Sequence, residues 1–228
     1  MNTLGSPVST EEHSQPVTVL IADDYPVIRT AVAQILKRTG LRVVGEARNG
    51  TEAVQKAREL RPDIVLMDIK MPDMDGLTAT ETIKREAPAT AIVIFTGYPE
   101  RAYIRRAIAA GAAGYLLKGT PLTDLVGALQ GLVDGASLVD ARLLAEVLAE
   151  VDEDKAAAPA PEPLGEALNE REVRVLKMLA AGMSNQQIAV QTHYSVGSVK
   201  NDIRRIMDKL DVTDRTQAAV VAVRRALI

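Results

Sequence analysis

The most constraining feature of this chain is a series of short apolar runs, each closed by a polar residue and separated by stretches with helical spacing. The best marked is Pro62-Asp63-Ile64-Val65-Leu66-Met67-Asp68, followed by Ile69-Lys70-Met71-Pro72-Asp73-Met74-Asp75-Gly76. A run of this length, aliphatic throughout and bounded by turn residues, has the character of a strand buried on both faces. It ends on the Asp68 carboxylate, and the Pro and Gly beyond it signal a loop.

Four more runs repeat the pattern. Val17 to Ala22 ends in Asp23-Asp24, Arg42 to Ala47 is short, Ala91 to Phe95 ends at Thr96, and Gly114 to Leu117 ends at Lys118. Between them lie helical segments. Pro26 suits a first helical turn and Gly40 a stop. Asn49-Gly50-Thr51-Glu52 resembles a capping box that opens a helix to about Leu60. Further helices are expected over about 76–86, 99–110 and 121–133. Strands alternating with helices predict an α/β fold: a doubly wound, parallel, five-stranded sheet of the flavodoxin-like kind.

Only Phe95 and five Tyr supply aromatics, so aliphatic side chains must build the core. There is no cysteine, which excludes disulfides and thiolate zinc sites. No apolar run reaches the roughly 18 residues of a membrane span. Residues 1–16 lack the basic start and apolar middle of a secretory signal and have the composition of a disordered tail. A cytoplasmic location is the resulting expectation.

Strand carboxyl ends share one edge of a parallel sheet, where ligands collect. Asp23, Asp24, Asp68, Thr96 and Lys118 should therefore converge. One such residue alone is an ordinary solvated strand end, but four strand ends together suggest a site. Three adjacent carboxylates repel one another unless a cation neutralises them. An all-oxygen ligand set favours a hard ion such as Mg²⁺, which also binds phosphate oxygens. A carboxylate there can attack a phosphoryl group and hold it as an acyl phosphate, with an ammonium offsetting the charge.

From Val17 to Val133 these residues resemble the receiver domains of bacterial two-component response regulators. The resemblance implies Asp68 as phosphoacceptor, Asp23 and Asp24 with Asp68 as Mg²⁺ ligands, Lys118 as the phosphoryl-stabilising lysine, and Thr96 and Tyr115 as switch residues. It also implies a histidine kinase as phosphoryl source. Gly97 stands where the family often has alanine. Lys70 and Tyr98, each two residues past a key position, are of the kind that tune acyl-phosphate lifetime.

Asp140 to Glu150 can form an amphipathic helix, with Leu143, Leu144, Val147 and Leu148 along one side. Charge, alanine and alternating proline up to Pro163 then predict a solvated linker. The expected organisation is a tail over 1–16, a receiver domain over 17–134, a linker over 135–163 and a second domain over 164–228. Charge divides the same way: from Leu164 on, ten Lys/Arg face seven Asp/Glu, leaving a net +3 there and −6 before it.

The last segment is helical throughout. Asn169-Glu170-Arg171-Glu172 and Ser184-Asn185-Gln186-Gln187 are capping-box patterns, and Ser195 can cap a third helix to about Lys209. In that third helix Val196, Val199, Ile203, Ile206 and Leu210 form an inward stripe. The opposite face carries Asn201, Arg204, Arg205 and Asp208, with Lys200 at its border. A tight turn between two helices, the second showing Lys, Asn and Arg, describes a helix-turn-helix reader, although a charged face alone is more often merely solvated.

Leu168-Asn169-Glu170-Arg171-Glu172-Val173, Ala181 to Ala189, Ser198-Val199-Lys200-Asn201 and Asp208 to Ala218 resemble the LuxR/NarL-type DNA-binding domain. The resemblance implies that Lys200, Asn201 and Arg204 enter the major groove, with Arg205 beside them. Asp202 departs from it, standing where a groove-compatible residue is common. His193 reads as a structural turn residue.

The final helix, about 213–226, is apolar nearly all round, and a second copy of the chain is the simplest cover for its outer faces. The whole reads as a phosphorylation-controlled transcription regulator, not an enzyme, with DNA, a histidine kinase, a homodimer partner and RNA polymerase as partners. A constitutive DNA-binding protein and a Mg²⁺-dependent aspartyl-phosphate phosphohydrolase are the alternatives. Lys70 argues against the latter, because such phosphatases usually place a second acid there.

Overall fold

In a computed structural model of the chain, residues 16–133, 167–212, 215–225 and 227–228 are described. The expected tail and linker, including the amphipathic helix over 140–150, lie outside them. Ten elements alternate in the first part: β1 Thr18–Ala22, α1 Pro26–Leu36, β2 Arg42–Ala47, α2 Gly50–Leu60, β3 Ile64–Met67, α3 Gly76–Glu86, β4 Ala91–Thr96, α4 Arg101–Ala109, β5 Gly114–Leu117 and α5 Leu122–Val133. All strand pairs are parallel, in the order β2-β1-β3-β4-β5. The chain reverses its direction of winding between β1 and β3, which opens a crevice at their carboxyl ends.

Alternation along each strand splits the core into two layers. Val19, Ile21, Ile64, Leu66, Val93 and Phe95 face Val32 and Leu36 of α1 and Leu125 and Leu129 of α5. Leu20, Val65, Met67, Ile92 and Ile94 face Ala53 and Ala57 of α2, Leu77 and Ile83 of α3 and Ile104 of α4. Each fully buried Leu or Ile contributes about 1.5–3 kcal/mol. Two dry layers of this kind offset the cost of gathering acids at one end of the sheet.

Helix starts follow the expected chemistry with small differences. Asn49 Oδ1 accepts from Glu52 N at 2.8 Å, but the Glu52 carboxylate bonds Arg48 N instead of closing the capping box. The fourth helix begins at Arg101 with Glu100 as N-cap, two residues after the expected Pro99. Glu100 takes the extended backbone of an N-cap, φ −67° and ψ 131°, so the first helical residue is Arg101.

The second part holds α6 Glu170–Ala180, α7 Asn185–Thr192, α8 Val196–Leu210 and α9 Arg215–Arg224. Both capping boxes, Asn169/Glu172 and Ser184/Gln187, close in both directions. His193 ends α7 in the left-handed conformation, φ 58°, as a turn residue. Ala218, Ala219 and Ala222 of α9 are buried against the other helices, and Val220, Val221 and Val223 are half-buried. The two parts meet where Thr216 Oγ1 donates to the carbonyl of Ala113, before β5, at 3.3 Å.

Gly76 holds the loop after β3. Its N–H donates to the Ile69 carbonyl at 2.8 Å, and a Cβ built on it would lie 1.8 Å from the backbone oxygen of Asp68. Neither backbone can yield without breaking the turn. Gly76→Ala is therefore expected to destabilise the chain by about 3 kcal/mol or more, read as a lower urea midpoint. An unchanged midpoint would show that this approach is not needed.

Candidate phosphoacceptor site and nucleic-acid interface

Asp68, Asp23 and Lys118 are placed by extension of the sheet beyond the last strand residue. Asp68 N donates to Ala22 O at 2.9 Å, Asp23 N to Ala47 O at 3.1 Å, and Lys118 N to Thr96 O at 2.8 Å. Because β1 and β3 are neighbours, carboxylate oxygens of Asp23, Asp24 and Asp68 all come within 4.8 Å of one another. The Lys118 ammonium lies 2.7 Å from Asp23 Oδ2 and 2.7 Å from Asp68 Oδ2. The other oxygens are aimed by backbone: Ile69 N donates to Asp68 Oδ1 at 2.7 Å and Tyr25 N to Asp23 Oδ1 at 2.9 Å. The five strand-end residues expected to converge are thus brought to one edge.

Burial raises the Asp23 carboxyl above its ordinary value, against the hydrogen bonds from Lys118 and Tyr25 that favour its charge. For Lys118, burial works against the charge, but its bonds to Asp23 and Asp68 prevail and raise it. Among the described residues two buried side-chain oxygens lack a partner: Asp24 Oδ1 and Thr96 Oγ1. An unsatisfied buried oxygen is costly, and here both belong to residues of one site. The donor set is all oxygen and anionic, which fits a hard divalent cation.

Around this centre lie Arg29, Tyr25 and Tyr103, which the sequence reading did not single out, together with Lys70, Tyr98 and Tyr115, which it did. Arg29 of α1 is buried; its Nη1 donates to the Asp23 carbonyl at 2.7 Å and its Nε to Glu46 Oε2 at 3.1 Å. Its spacing with Val32 and Leu36, on the inward stripe of α1, was the available signal. The exposed Tyr25 ring lies 5.6 Å from the Lys118 ammonium. The ammonium of Lys70 stands 5.9 Å from the Tyr98 ring and 5.3 Å from that of Tyr103 on α4, distances of cation–π contact. Tyr115 is buried, and its hydroxyl donates to the Tyr98 carbonyl at 2.5 Å. Burial is also the main cause that pushes its phenol well above the usual value.

In the helical part, Lys200, Asn201, Arg204 and Arg205 are exposed on α8. Asp202, the departure noted in the sequence, points away from that face and is fully buried. Its carboxylate pairs with Arg171 Nη2 at 2.6 Å and with Nη2 of Arg205. Arg205 is drawn back along the helix side by this pair, and its Nε lies 3.8 Å from Glu172. Burial disfavours the Glu172 carboxylate, but bonds from Asn169 N and Lys209 hold it below the usual range. Arg171 also stacks 3.9 Å from the Tyr194 ring centroid, joining α6 to the turn before α8.

An acid-and-lysine pocket at the switch of a five-stranded parallel sheet, followed by a helix-turn-helix, defines a receiver joined to a DNA-binding output unit. Residues 19–130 match the response regulator receiver domain family and residues 166–222 the LuxR family of bacterial regulatory proteins. Response regulator protein VraR from Staphylococcus saprophyticus is 36% identical over 214 residues, covering 93% of this chain and 99% of that protein. Among solved structures, a two-component response regulator of the LuxR family from Aurantimonas has 31% identity and TM-score 0.52 over 61% of this chain and 97% of its own. The RcsB response regulator of Salmonella typhimurium has 25% identity and TM-score 0.51, covering 93% of this chain and 98% of that one. The chain belongs to the two-component response regulators with a LuxR-type DNA-binding domain, a family of transcription regulators and not of enzymes. No helix of the described residues is long and apolar enough to cross a membrane.

The raised carboxyl of Asp23 makes stability depend on pH. Its contribution is favourable below its unfolded pKa of about 3.9 and is lost as pH rises through the higher folded value. In metal-free protein, Asp23→Asn should therefore raise the unfolding temperature at pH 7, and the gain should vanish near pH 3. Thermal melts across that range check it. A variant less stable than the parent at pH 7 would mean that the ion pair with Lys118 outweighs the burial of the acid.

Proposed function

We propose that Asp68 is the phosphoacceptor of this response regulator and that its acyl phosphate controls DNA binding by the helical unit. The observation that carries this reading is the placement of Asp68 Oδ2 2.7 Å from the Lys118 ammonium, at the sheet edge where β4 ends in a buried Thr96 hydroxyl that has no partner of its own. A phosphohistidine of a histidine kinase is the donor class that fits. An Asp68 carboxylate oxygen attacks phosphorus, the phosphorus–nitrogen bond breaks, and the imidazole leaves with the electron pair and takes up a proton. Lys118 then balances charge on the phosphoryl oxygens, and the Thr96 hydroxyl gains an acceptor in one of them.

Asp23, Asp24 and Asp68 are the residues that would hold Mg²⁺, whose charge neutralises phosphoryl oxygens during transfer. Thr96 and Tyr115 would carry the state outward. Thr96 ends β4, and Tyr115 is tied to the loop after it through the Tyr98 carbonyl. Movement of Thr96 toward a phosphoryl oxygen would pull on that loop. Lys200, Asn201 and Arg204 would contact DNA from α8, and Arg205 would serve at most the phosphate backbone. The receiver would span 17–134 and the output domain 164–228, joined by a linker over 135–163. Two half-sites on DNA suit a homodimer, and a bound dimer could meet RNA polymerase.

Incubation with Mg²⁺ and a small acyl-phosphate donor tests the assignment. The intact protein should gain the mass of one phosphoryl group, and Asp68→Asn, nearly isosteric, should gain none while melting within a few degrees of the parent. Equal labelling of the Asn variant, mapped to another residue, would sink the assignment.

A further inference from the structure

Helix α8 shows solvent a stripe made of Gly197, Lys200, Asn201, Arg204 and Asp208. At 100° per residue, Gly197 lies near the middle of that stripe, in the first turn. Nothing in the fold asks for glycine there. A Cβ on Gly197 would meet nothing nearer than Ser195 Oγ at 3.9 Å, and the residue is not among the glycines with positive φ. Glycine is a poor helix former, so the position gives up helix stability without relieving any clash. What it supplies is clearance on the outer face.

The charged groups of the stripe are sorted by the buried acid. Asp202 holds Arg205 against the helix side, within reach of Glu172. Lys200, Asn201 and Arg204, by contrast, carry no hydrogen bond or ion pair among the described residues and are exposed. Asn201 and Arg204 flank the line through Gly197, one turn apart, while Lys200 sits at the edge.

Resting on the reading of α8 as the DNA-contacting helix, we infer that it goes deepest into the major groove at Gly197, and that Asn201 reads an adenine and Arg204 a guanine. Arg205 reads no base. The primary amide of asparagine matches N6 and N7 of adenine, and the guanidinium fork matches O6 and N7 of guanine. Along the helix the two residues are about 4.5 Å apart, against a base-pair rise of about 3.4 Å. The two bases are therefore neighbours or one pair removed, on either strand. Gly197 lets the backbone of the first turn come closer to the base edges than any side chain would allow, which is what brings the short amide of Asn201 within reach.

The test uses the full chain, phosphorylated with a small acyl-phosphate donor, and selection from a pool of random duplexes, followed by binding titrations at fixed salt. Wild type should select a half-site holding an adenine and a guanine within two base pairs. Asn201→Ala should lose discrimination at the adenine and Arg204→Ala at the guanine, each by about tenfold or more. Arg205→Ala should keep the preference at every position. Gly197→Ala should melt no lower than wild type, yet bind the selected site about tenfold more weakly. Gly197→Ala binding as tightly as wild type would overturn the clearance role. Unchanged preference in the Asn201 and Arg204 variants, or a base preference lost with Arg205, would overturn the assignment of bases. Wild type that shows no preference among duplexes at all would instead remove the DNA reading on which the inference stands.

Discussion

The ammonium of Lys118, bonded at 2.7 Å to both Asp23 and Asp68, is the interaction on which the receiver depends. Three carboxylates gathered at one sheet edge would repel one another, and each is partly or wholly removed from water. Without a cation between them, one would protonate or the edge would open. Removing the ammonium itself would leave the buried acids without a counter-charge, a loss that typically costs about 3–5 kcal/mol. The fold holds Lys118 in place by giving its backbone a bond to Thr96, so the cation and the Thr96 hydroxyl are set by the same pair of strands. A phosphoryl group on Asp68, as proposed, would bring further negative charge to this point. The ammonium, and the unpartnered hydroxyl of Thr96 on the same sheet edge, are the groups that would meet it.

The parts of this arrangement that read directly from sequence are those built by one element at a time. Asp23, Asp24, Asp68, Thr96 and Lys118 each close a strand run, so parallel pairing alone brings them to one edge. The capping boxes at Asn169 and Ser184 read equally well, because their partners lie three positions on, whereas the box at Asn49 closes in one direction only. What did not read were contacts made between distant elements. Tyr103 reaches Lys70 only because α4 packs beside the loop after β3, and Arg29 reaches Asp23 only because α1 turns its inward stripe under the site. Asp202 shows the limit most clearly. It borders the apolar stripe of α8, and its burial could be recognised only with Arg171 of α6 known to stand opposite.

The same buried acid links the two ends of the output unit. Arg171 stacks on Tyr194, Asp202 fixes Arg171 and Arg205, and Lys209 closes on Glu172, so α6, the turn before α8 and α8 itself move together. The side of α8 that carries Lys200, Asn201 and Arg204 stays open to solvent while Thr216 of α9 meets Ala113. The contact at Ala113 lies just ahead of β5, the strand that carries Tyr115 and leads to Lys118, so the acid-and-lysine pocket and the last helix are joined through one short strand.

The central claim is that charge on Asp68 reaches the DNA-binding unit through the Thr96 hydroxyl. Operator affinity of the full chain, measured with and without a small acyl-phosphate donor at fixed salt, for wild type and for Thr96→Val, tests it most directly. The account predicts that both proteins take up one phosphoryl group, that wild type tightens by about tenfold or more, a change of 1.4 kcal/mol, and that Thr96→Val does not tighten. A wild type whose affinity ignores phosphorylation, or a valine variant that responds as wild type does, would contradict it.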